Sequence, residues 1–303
     1  MPKKGFEEVR EKMLASAKQG IKSAYSSEEY ALIQAVNAQI ETSRSYNLAY
    51  ERLSEWYGIY FPEVRMSNPV TLARLAMVLN VGEKDRKLIE DAIKDSAKAE
   101  EVHAMAQSTI GRQMELEESK AVIGFSKMVI SLSESLEELD SYIKSAATRL
   151  MPNTTYLTDH MIAAELLSKA GSLERLATMP AGTVQLLGAE KALFKHLKYG
   201  SKPPKYGILF KLPEVTNAQR EIRGKIARAY ATKISIGLKA DYFSKNFIAK
   251  ELKKRLDDSI KRMKEKPIKP KKEGQAEGFE RRGYRDRDSD RRGFSGGRGR
   301  RRP

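Results

Sequence analysis

The stretch VIGFSKMVISLSESLEELDSYI, residues 122–143, places Val122, Phe125, Val129, Leu132, Leu136, Leu139 and Ile143 at alternating intervals of three and four. Three heptads of such an apolar seam specify a long amphipathic helix laid against another helix. A second seam with the same spacing runs through Ile89, Ala92, Ser96, Ala99, His103, Ala106 and Ile110, and most of its residues are small. Large side chains facing small ones let two helices approach and interlock. The two seams are therefore read as the arms of an antiparallel coiled-coil hairpin turning near 108–118, where Gly111 interrupts the pattern. A protruding hairpin has little core of its own, so the seven large residues are expected to form a dimerisation surface.

Outward from the hairpin, the periodicity predicts an all-α protein. Residues 1–26 read as a short N-terminal extension. Residues 27–66 carry one helix, opened by Ser26-Ser27 with Glu28-Glu29 in its first turn, which suits the positive helix N-terminus. Trp56, Tyr57, Tyr60 and Phe61 cluster before Pro62 and read as packing residues. The hairpin takes 67–150. A compact helical domain follows over 151–265, with helices expected at 155–169, 173–177, 183–197, 217–238 and 241–264. Gly171 is placed to stop the first of these, and Pro203-Pro204 with Gly207 enforce a loop. Residues 266–303 have almost no aliphatic side chains and read as a disordered tail.

Charge divides the chain. Residues 1–150 carry 20 Lys/Arg against 23 Asp/Glu, a balance of −3; 151–249 carry 15 against 7, or +8; 250–303 carry 21 against 10, or +11. A basic excess confined to the C-terminal half points to a polyanion there and to protein contacts in the N-terminal half. The absence of cysteine excludes disulfides, thiolate metal sites and cysteine catalysis. No apolar run approaches the ~20 residues of a membrane span, and a cytosolic protein is expected.

Catalysis finds no support. His103, His160 and His196 lie far apart, and no phosphate-binding loop, dinucleotide turn or zinc spacing is present. A non-enzyme with no cofactor and no metal is expected. Binding finds more. On the 183–197 helix, Leu186, Leu193 and Leu197, flanked by Leu187 and Phe194, form a stripe read as core. Gly188 and Ala189 in mid-helix are unusual, since glycine there costs about 1 kcal/mol; close helix packing and close approach of a partner both account for them. The loop Lys202-Pro203-Pro204-Lys205-Tyr206 offers two cations and a ring, suited to phosphate contact and stacking on an unpaired base. Arg220, Arg223, Lys225 and Arg228 form a looser phosphate-facing set. In the tail, Arg281-Arg282-Gly283-Tyr284 and Arg291-Arg292-Gly293-Phe294 have the composition of mobile RNA-binding segments.

Several linked motifs, SEWYGIYFPEV (54–64), RLMPN (149–153), AGSLERLATMPAGTVQLLGAEKALFKHLK (170–198), PPKYGILF (203–210) and RGKIARAYATKISIGLKADYFS (223–244), resemble in order those of the Nop-domain proteins of box C/D small ribonucleoproteins. The resemblance implies a dimerising coiled coil and a Nop domain that binds a kink-turn RNA together with its small kink-turn-binding protein. It maps the family's composite contact onto Gly188, Ala189, Glu190 and Lys191, and a contact with the guide–substrate duplex onto Ala192, Leu193, Phe194 and Lys195. Lys195 stands where relatives carry arginine, keeping charge but losing bidentate geometry. Gln185, Lys205, Tyr206, Arg223, Lys225 and Arg228 complete the expected RNA- and protein-binding set.

Relatives in methylation carry an N-terminal α/β domain that docks the methyltransferase fibrillarin. The residues ahead of position 27 are too few to build it, so fibrillarin is expected only if another chain supplies that domain. The leading expectation is a non-catalytic scaffold for box C/D guide-RNA particles in rRNA 2'-O-methylation. The alternatives are a Nop-domain assembly factor outside methylation, and a general RNA-binding or chaperone protein working through its tail.

Overall fold

Helices α2 (Glu28–Tyr57) and α6 (Leu116–Leu150) run antiparallel in a computed structural model that describes residues 3–25, 27–79 and 85–265. At 1.5 Å per residue, their 30 and 35 residues span about 45 and 52 Å. Arg149, near the end of α6, pairs with Glu28 at the start of α2. Toward the other end, Trp56 meets Phe125 edge-on with ring centroids 6.2 Å apart.

This pairing corrects the expected hairpin. The main partner of the large seam is α2, and the arm expected over 69–110 is three shorter helices, α3 (Pro69–Val78), α4 (Arg86–Ile93) and α5 (Ser96–Gln107). Helix α3 packs on α6, while α4 folds back on α5. The small-residue seam cannot remain one helix. Lys94 adopts a left-handed conformation (φ 58°) that ends α4, and Asp95 caps α5 by accepting the Lys98 N–H at 3.2 Å. The turn into α6 presses onto the end of α2. A Cβ on Gly111 would lie 2.0 Å from the Tyr60 carbonyl oxygen, so only glycine fits. Glu63 anchors the same turn by accepting from the Ile110 N–H (2.8 Å) and the Thr109 hydroxyl (2.7 Å), and these bonds hold its carboxyl below the usual carboxylate range.

Two cores share the long helices. One gathers Leu53, Tyr57, Tyr60, Phe61, Leu72, Leu75 and Leu79 around Val122 and Val129. There Tyr57, whose burial pushes its phenol well up, donates to the Leu79 carbonyl at 2.9 Å. The other joins Leu32 and Val36 of α2 and Ile143 and Met151 to the C-terminal helices. Of the seven residues expected to face a second copy, Val122, Val129 and Ile143 are fully buried by the chain's own helices. Phe125, Leu132, Leu136 and Leu139 are half-buried. The 1–26 segment, read as an extension, contains helix α1 (Lys3–Tyr25), whose described side chains at 6–22 are all exposed.

The C-terminal half comprises α7 (Pro152–Leu157), α8 (His160–Ala170), α9 (Leu173–Thr178), α10 (Ala181–Leu186), α11 (Glu190–Tyr199), a 3-10 turn (Ile208–Lys211), α12 (Pro213–Thr216), α13 (Arg220–Lys239), a π turn (Ala240–Ser244) and α14 (Ala249–Glu265). The helix expected over 155–169 breaks at Thr158, because Asp159 caps α8 by accepting the Met161 N–H at 3.3 Å. Gly171, at φ 87°, ends α8 as expected. Among the described residues there is no strand. The tail expected to be disordered, 266–303, lies outside them.

Helix α7 follows α6 after a single residue, Met151, and a buried carboxylate fixes the junction. Asp241, in the π turn and 1% exposed, accepts four hydrogen bonds. They come from the Asn153 and Thr154 N–H groups (2.9 and 3.0 Å), the Asn153 side-chain amide (2.8 Å) and the Thr154 hydroxyl (2.7 Å). The same Asn153 amide donates to the Asn246 carbonyl, and its oxygen accepts from the Ile248 N–H at 2.7 Å. The first turn of α7 is thus tied to both the end of α13 and the start of α14. Asp241→Ala leaves two buried backbone donors without partners, at about 1–3 kcal/mol each. Chemical denaturation is expected to register a loss of about 2–5 kcal/mol.

Candidate nucleic-acid interface

Helix α10 ends early for a steric reason. The helix expected over 183–197 is two helices, because Gly188 takes φ 85°, a left-handed conformation that ends α10 and that other residues adopt only at a cost. A Cβ there would meet Ile208 Cγ1 at 2.7 Å. The Gly188 N–H donates to Glu190 Oε1 at 2.6 Å, so one oxygen of that carboxylate is engaged within the turn. The mid-helix reading of Gly188 and Ala189 is thereby corrected: both lie in the joint between α10 and α11.

The joint is braced by the following loop. Gly207 donates to the Gln185 carbonyl (3.0 Å) and Ile208 to the Leu187 carbonyl (2.8 Å). The Gln185 side chain is buried; its amide donates to the Lys205 carbonyl at 2.6 Å, and its oxygen faces Arg228 Nε at 3.4 Å. Gln185 therefore positions the loop and Arg228 from beneath the surface, a correction to its place among the contact residues. Tyr206 is also committed inward. Its half-buried ring stacks on Phe210 at 4.8 Å and 11°, and the Arg223 guanidinium sits 5.7 Å above Phe210. One face of Tyr206 is thus unavailable for stacking on a base. Lys205 lays its aliphatic stem over Gly224 of α13, where a Cβ would stand 3.4 Å from Lys205 Cδ, and it remains exposed.

Helix α11 contains no buried residue. Phe194, Leu197 and Tyr199 are 68%, 70% and 69% exposed, so the stripe read as core is core only at Leu187, with Leu186 and Leu193 half-buried. At 100° per residue, Leu193, Phe194 and Leu197 fall on one side of the helix, and Lys191, Lys195 and Lys198 on the adjoining side. Exposed apolar side chains beside a row of cations form a mixed surface. Ala192 is exposed between them. On α13, Arg223 and Arg228 lie toward the same half of the helix as Arg220, whereas Lys225 is about 140° around from Arg220.

The cations of this region are not neutralised by the fold. Among the described residues, Lys191, Lys195, Lys198, Lys202, Lys205, Arg220, Arg223, Lys225 and Arg228 have no carboxylate within 4.0 Å. Lysines outside it do: Lys211 pairs with Glu165, and Lys253 lies 3.2 Å from Asp257. Lys198 and the exposed Leu197 and Tyr199 were absent from the expected set. Their signal was the i, i+4, i+7 spacing of Lys191, Lys195 and Lys198 beside the apolar stripe.

The histidines engage in local contacts. His160 lies between Asp140 (3.0 Å) and Asp159 (2.8 Å), His103 faces Gln107 at 3.3 Å, and His196 contacts the Ser201 carbonyl. Among the described residues no cluster of three or more His, Asp or Glu side chains is arranged to hold a metal, and no helix is long and apolar enough to cross a membrane.

A family model for the Nop domain, described as snoRNA binding domain, fibrillarin, matches residues 38–262. An uncharacterized NOP5 family protein of Methanocaldococcus jannaschii is 35% identical over 271 residues, covering 88% of this chain and 65% of its own length. Nucleolar protein 56 of Dictyostelium discoideum is 36% identical over 240 residues, covering 76% of this chain and 44% of its own. The human nucleolar protein 56 is 35% identical, with 70% and 37% covered. The chain therefore spans between about two fifths and just under two thirds of these relatives. A chain in the crystal structure of a fibrillarin/Nop5p complex has a similar fold, with a TM-score of 0.50 at 22% identity over 87% of this chain and 80% of that one.

Gly188→Ala combines a left-handed backbone with the Ile208 contact and is expected to cost about 1–3 kcal/mol in thermal or chemical unfolding. Gly182→Ala, inside α10 with open space around it, is the control and is expected to hold or slightly raise the unfolding midpoint.

Proposed function

The chain belongs to the Nop family, and on that premise we propose that it is a non-catalytic ribonucleoprotein scaffold that binds a kink-turn RNA together with the small protein already seated on it. The observation that carries this reading is helix α11, with an apolar side and a cationic side next to each other and neither buried among the described residues. An RNA-only surface has little use for exposed Leu197 and Phe194, and a protein-only surface has little use for three adjacent unpaired lysines. A partner that is part protein and part phosphate backbone uses both. Lys205 and Arg228, held by the Gln185 brace, and Arg223, which donates to the Ala218 carbonyl, extend the cationic side toward the RNA. Glu190 and Lys191 sit at the entrance to α11, where the two components meet.

The family description, snoRNA binding, supports box C/D-type RNA as the nucleic-acid component. Relatives named nucleolar protein 56, together with the snoRNA-binding description of the family, support guide-RNA service in rRNA 2'-O-methylation as the setting we propose. In that setting this chain contributes RNA and protein recognition, and methyl transfer belongs to a fibrillarin-type partner.

In gel-shift titrations, kink-turn RNA is expected to shift with this chain only when the small kink-turn-binding protein is present. Lys191→Ala with Lys195→Ala is expected to weaken the ternary complex on the order of tenfold, and more weakly at high salt. Phe194→Ala with Leu197→Ala is expected to weaken it comparably through the protein side. Equal affinity with and without the small protein would overturn composite recognition and favour general RNA binding through the tail.

We also propose self-association through the stretch of α6 between the two cores, where Leu132, Leu136 and Leu139 are only half-buried by the chain's own helices and Met128 and Tyr142 are exposed. Light scattering is expected to give a dimer mass, and Leu132→Glu with Leu136→Glu a monomer of unchanged helicity. A monomeric parent protein would refute self-association while leaving composite recognition untouched.

A further inference from the structure

The π turn after α13 exposes aromatic residues that the α11 surface does not use. Phe243 is 64% exposed, Phe247 51% and Tyr156 50%, while Tyr242 is half-buried. They form two edge-to-face pairs, Tyr242 with Phe243 (centroids 4.8 Å, 81°) and Tyr156 with Phe247 (5.7 Å, 87°). Both pairs are mounted on the Asp241–Asn153 network. Asp241 immediately precedes Tyr242, Asn153 lies one helical turn before Tyr156, and Asn246 and Ile248, both bonded to Asn153, flank Phe247.

Core packing accounts for Tyr242, which lies against the C-terminal core, but not for Phe243, Phe247 and Tyr156, since the residues that pack beside them are Leu157, Ala249 and Leu252. The backbone beneath them is unusual as well. Lys245 donates to the Ala240 carbonyl at 2.7 Å to close the π turn and takes φ 56°, a conformation that non-glycine residues adopt at a cost. That geometry carries the Lys245 ammonium to 6.0 Å from the centroid of Tyr242. Lys239 and Lys250 are exposed on either side. The only acid between 239 and 250 is Asp241, which is buried and saturated by its four donors. The patch therefore presents aromatic rings among three cations with no exposed carboxylate among them in sequence.

We propose that this patch is a second RNA contact, a stacking platform for unpaired bases on Phe243, Phe247 and Tyr156, with Lys239, Lys245 and Lys250 meeting the adjoining phosphates. Flat rings accept any base face and lysines follow a flexible backbone, so the chemistry selects single-stranded RNA over a duplex, whose bases are already stacked. The local charge disfavours a basic protein surface and offers an apolar partner no neutral rim. The proposal goes beyond composite recognition by α11 and does not depend on it.

The test is photo-cross-linking of the full chain to a short 5-bromouridine-substituted oligouridylate, which contains no kink-turn, followed by mapping of the adducts. Adducts are expected within 240–250 in addition to any in the tail. Phe243→Ala with Phe247→Ala is expected to lower those adducts about fivefold or more while leaving adducts elsewhere and the unfolding midpoint unchanged, since both rings are exposed. Lys239→Gln with Lys250→Gln, which removes charge and no ring, is expected to lower them at low salt and less at raised salt. Lys191→Ala with Lys195→Ala is expected to leave them unchanged, which separates this platform from the α11 surface. Absence of adducts at 240–250 when other sites are labelled, as a protein-docking patch would give, overturns the proposal; so does labelling there that is indifferent to the loss of both rings.

Discussion

The carboxylate of Asp241 is the constraint on which the C-terminal half depends. It is almost wholly buried, and four donors from α7 converge on it. A buried charge is tolerated only when its hydrogen bonds are complete, and then it selects one arrangement of the groups around it. Here those groups belong to α7, to the π turn and, through Asn153, to the segment entering α14. Gly237 lets α13 come close to α7 alongside the network, where a Cβ would stand 3.2 Å from Leu157 Cδ1. The polar network and the close approach reinforce each other, since neither geometry survives if the helices separate.

The long helices carry this order into the N-terminal half. Their apolar residues enter one core at one end and a second core at the other, with half-buried leucines between. The seam of α6 was legible because its large residues keep strict heptad spacing. Its partner was not legible, because periodicity says that a stripe is covered and is silent about which element covers it. The small-residue seam obeyed the same spacing and attracted the pairing. The sign against it was local: Lys94-Asp95 followed by Ser96 is a helix end and a fresh cap, and chain-terminating chemistry outweighs a weak stripe of alanines.

At the surface around α11 the distinction between contact and support was the hardest to read. Gln185 and Tyr206 have side chains suited to nucleic acid, yet the fold spends one beneath the loop and stacks the other on Phe210. Leu197 and Phe194 have side chains suited to a core, yet both are exposed. The cause is Gly188. Once it breaks the helix, α11 lies clear of the core, and Phe194 and Leu197 stay exposed among the described residues. A glycine within an apolar helical pattern reads as a mild propensity penalty, and the Ile208 contact that makes it a turn is long-range. The lysines, by contrast, could be recognised directly, because between Glu190 and Glu214 the sequence carries six lysines and no acid.

The single residue between α6 and α7 gives the Asp241 network a mechanical consequence. The pair of long helices, about 52 Å long and seated at its base on the C-terminal core, acts as a lever, and a 5° error at that base displaces the far tip by about 4.5 Å. That displacement is close to a full helical turn, enough to put a side chain into the wrong register of anything docked there. Small hydrogen-bond geometry at position 241 is therefore converted into positional tolerance tens of ångströms away, and residues that touch no partner set the accuracy with which distant ones meet theirs.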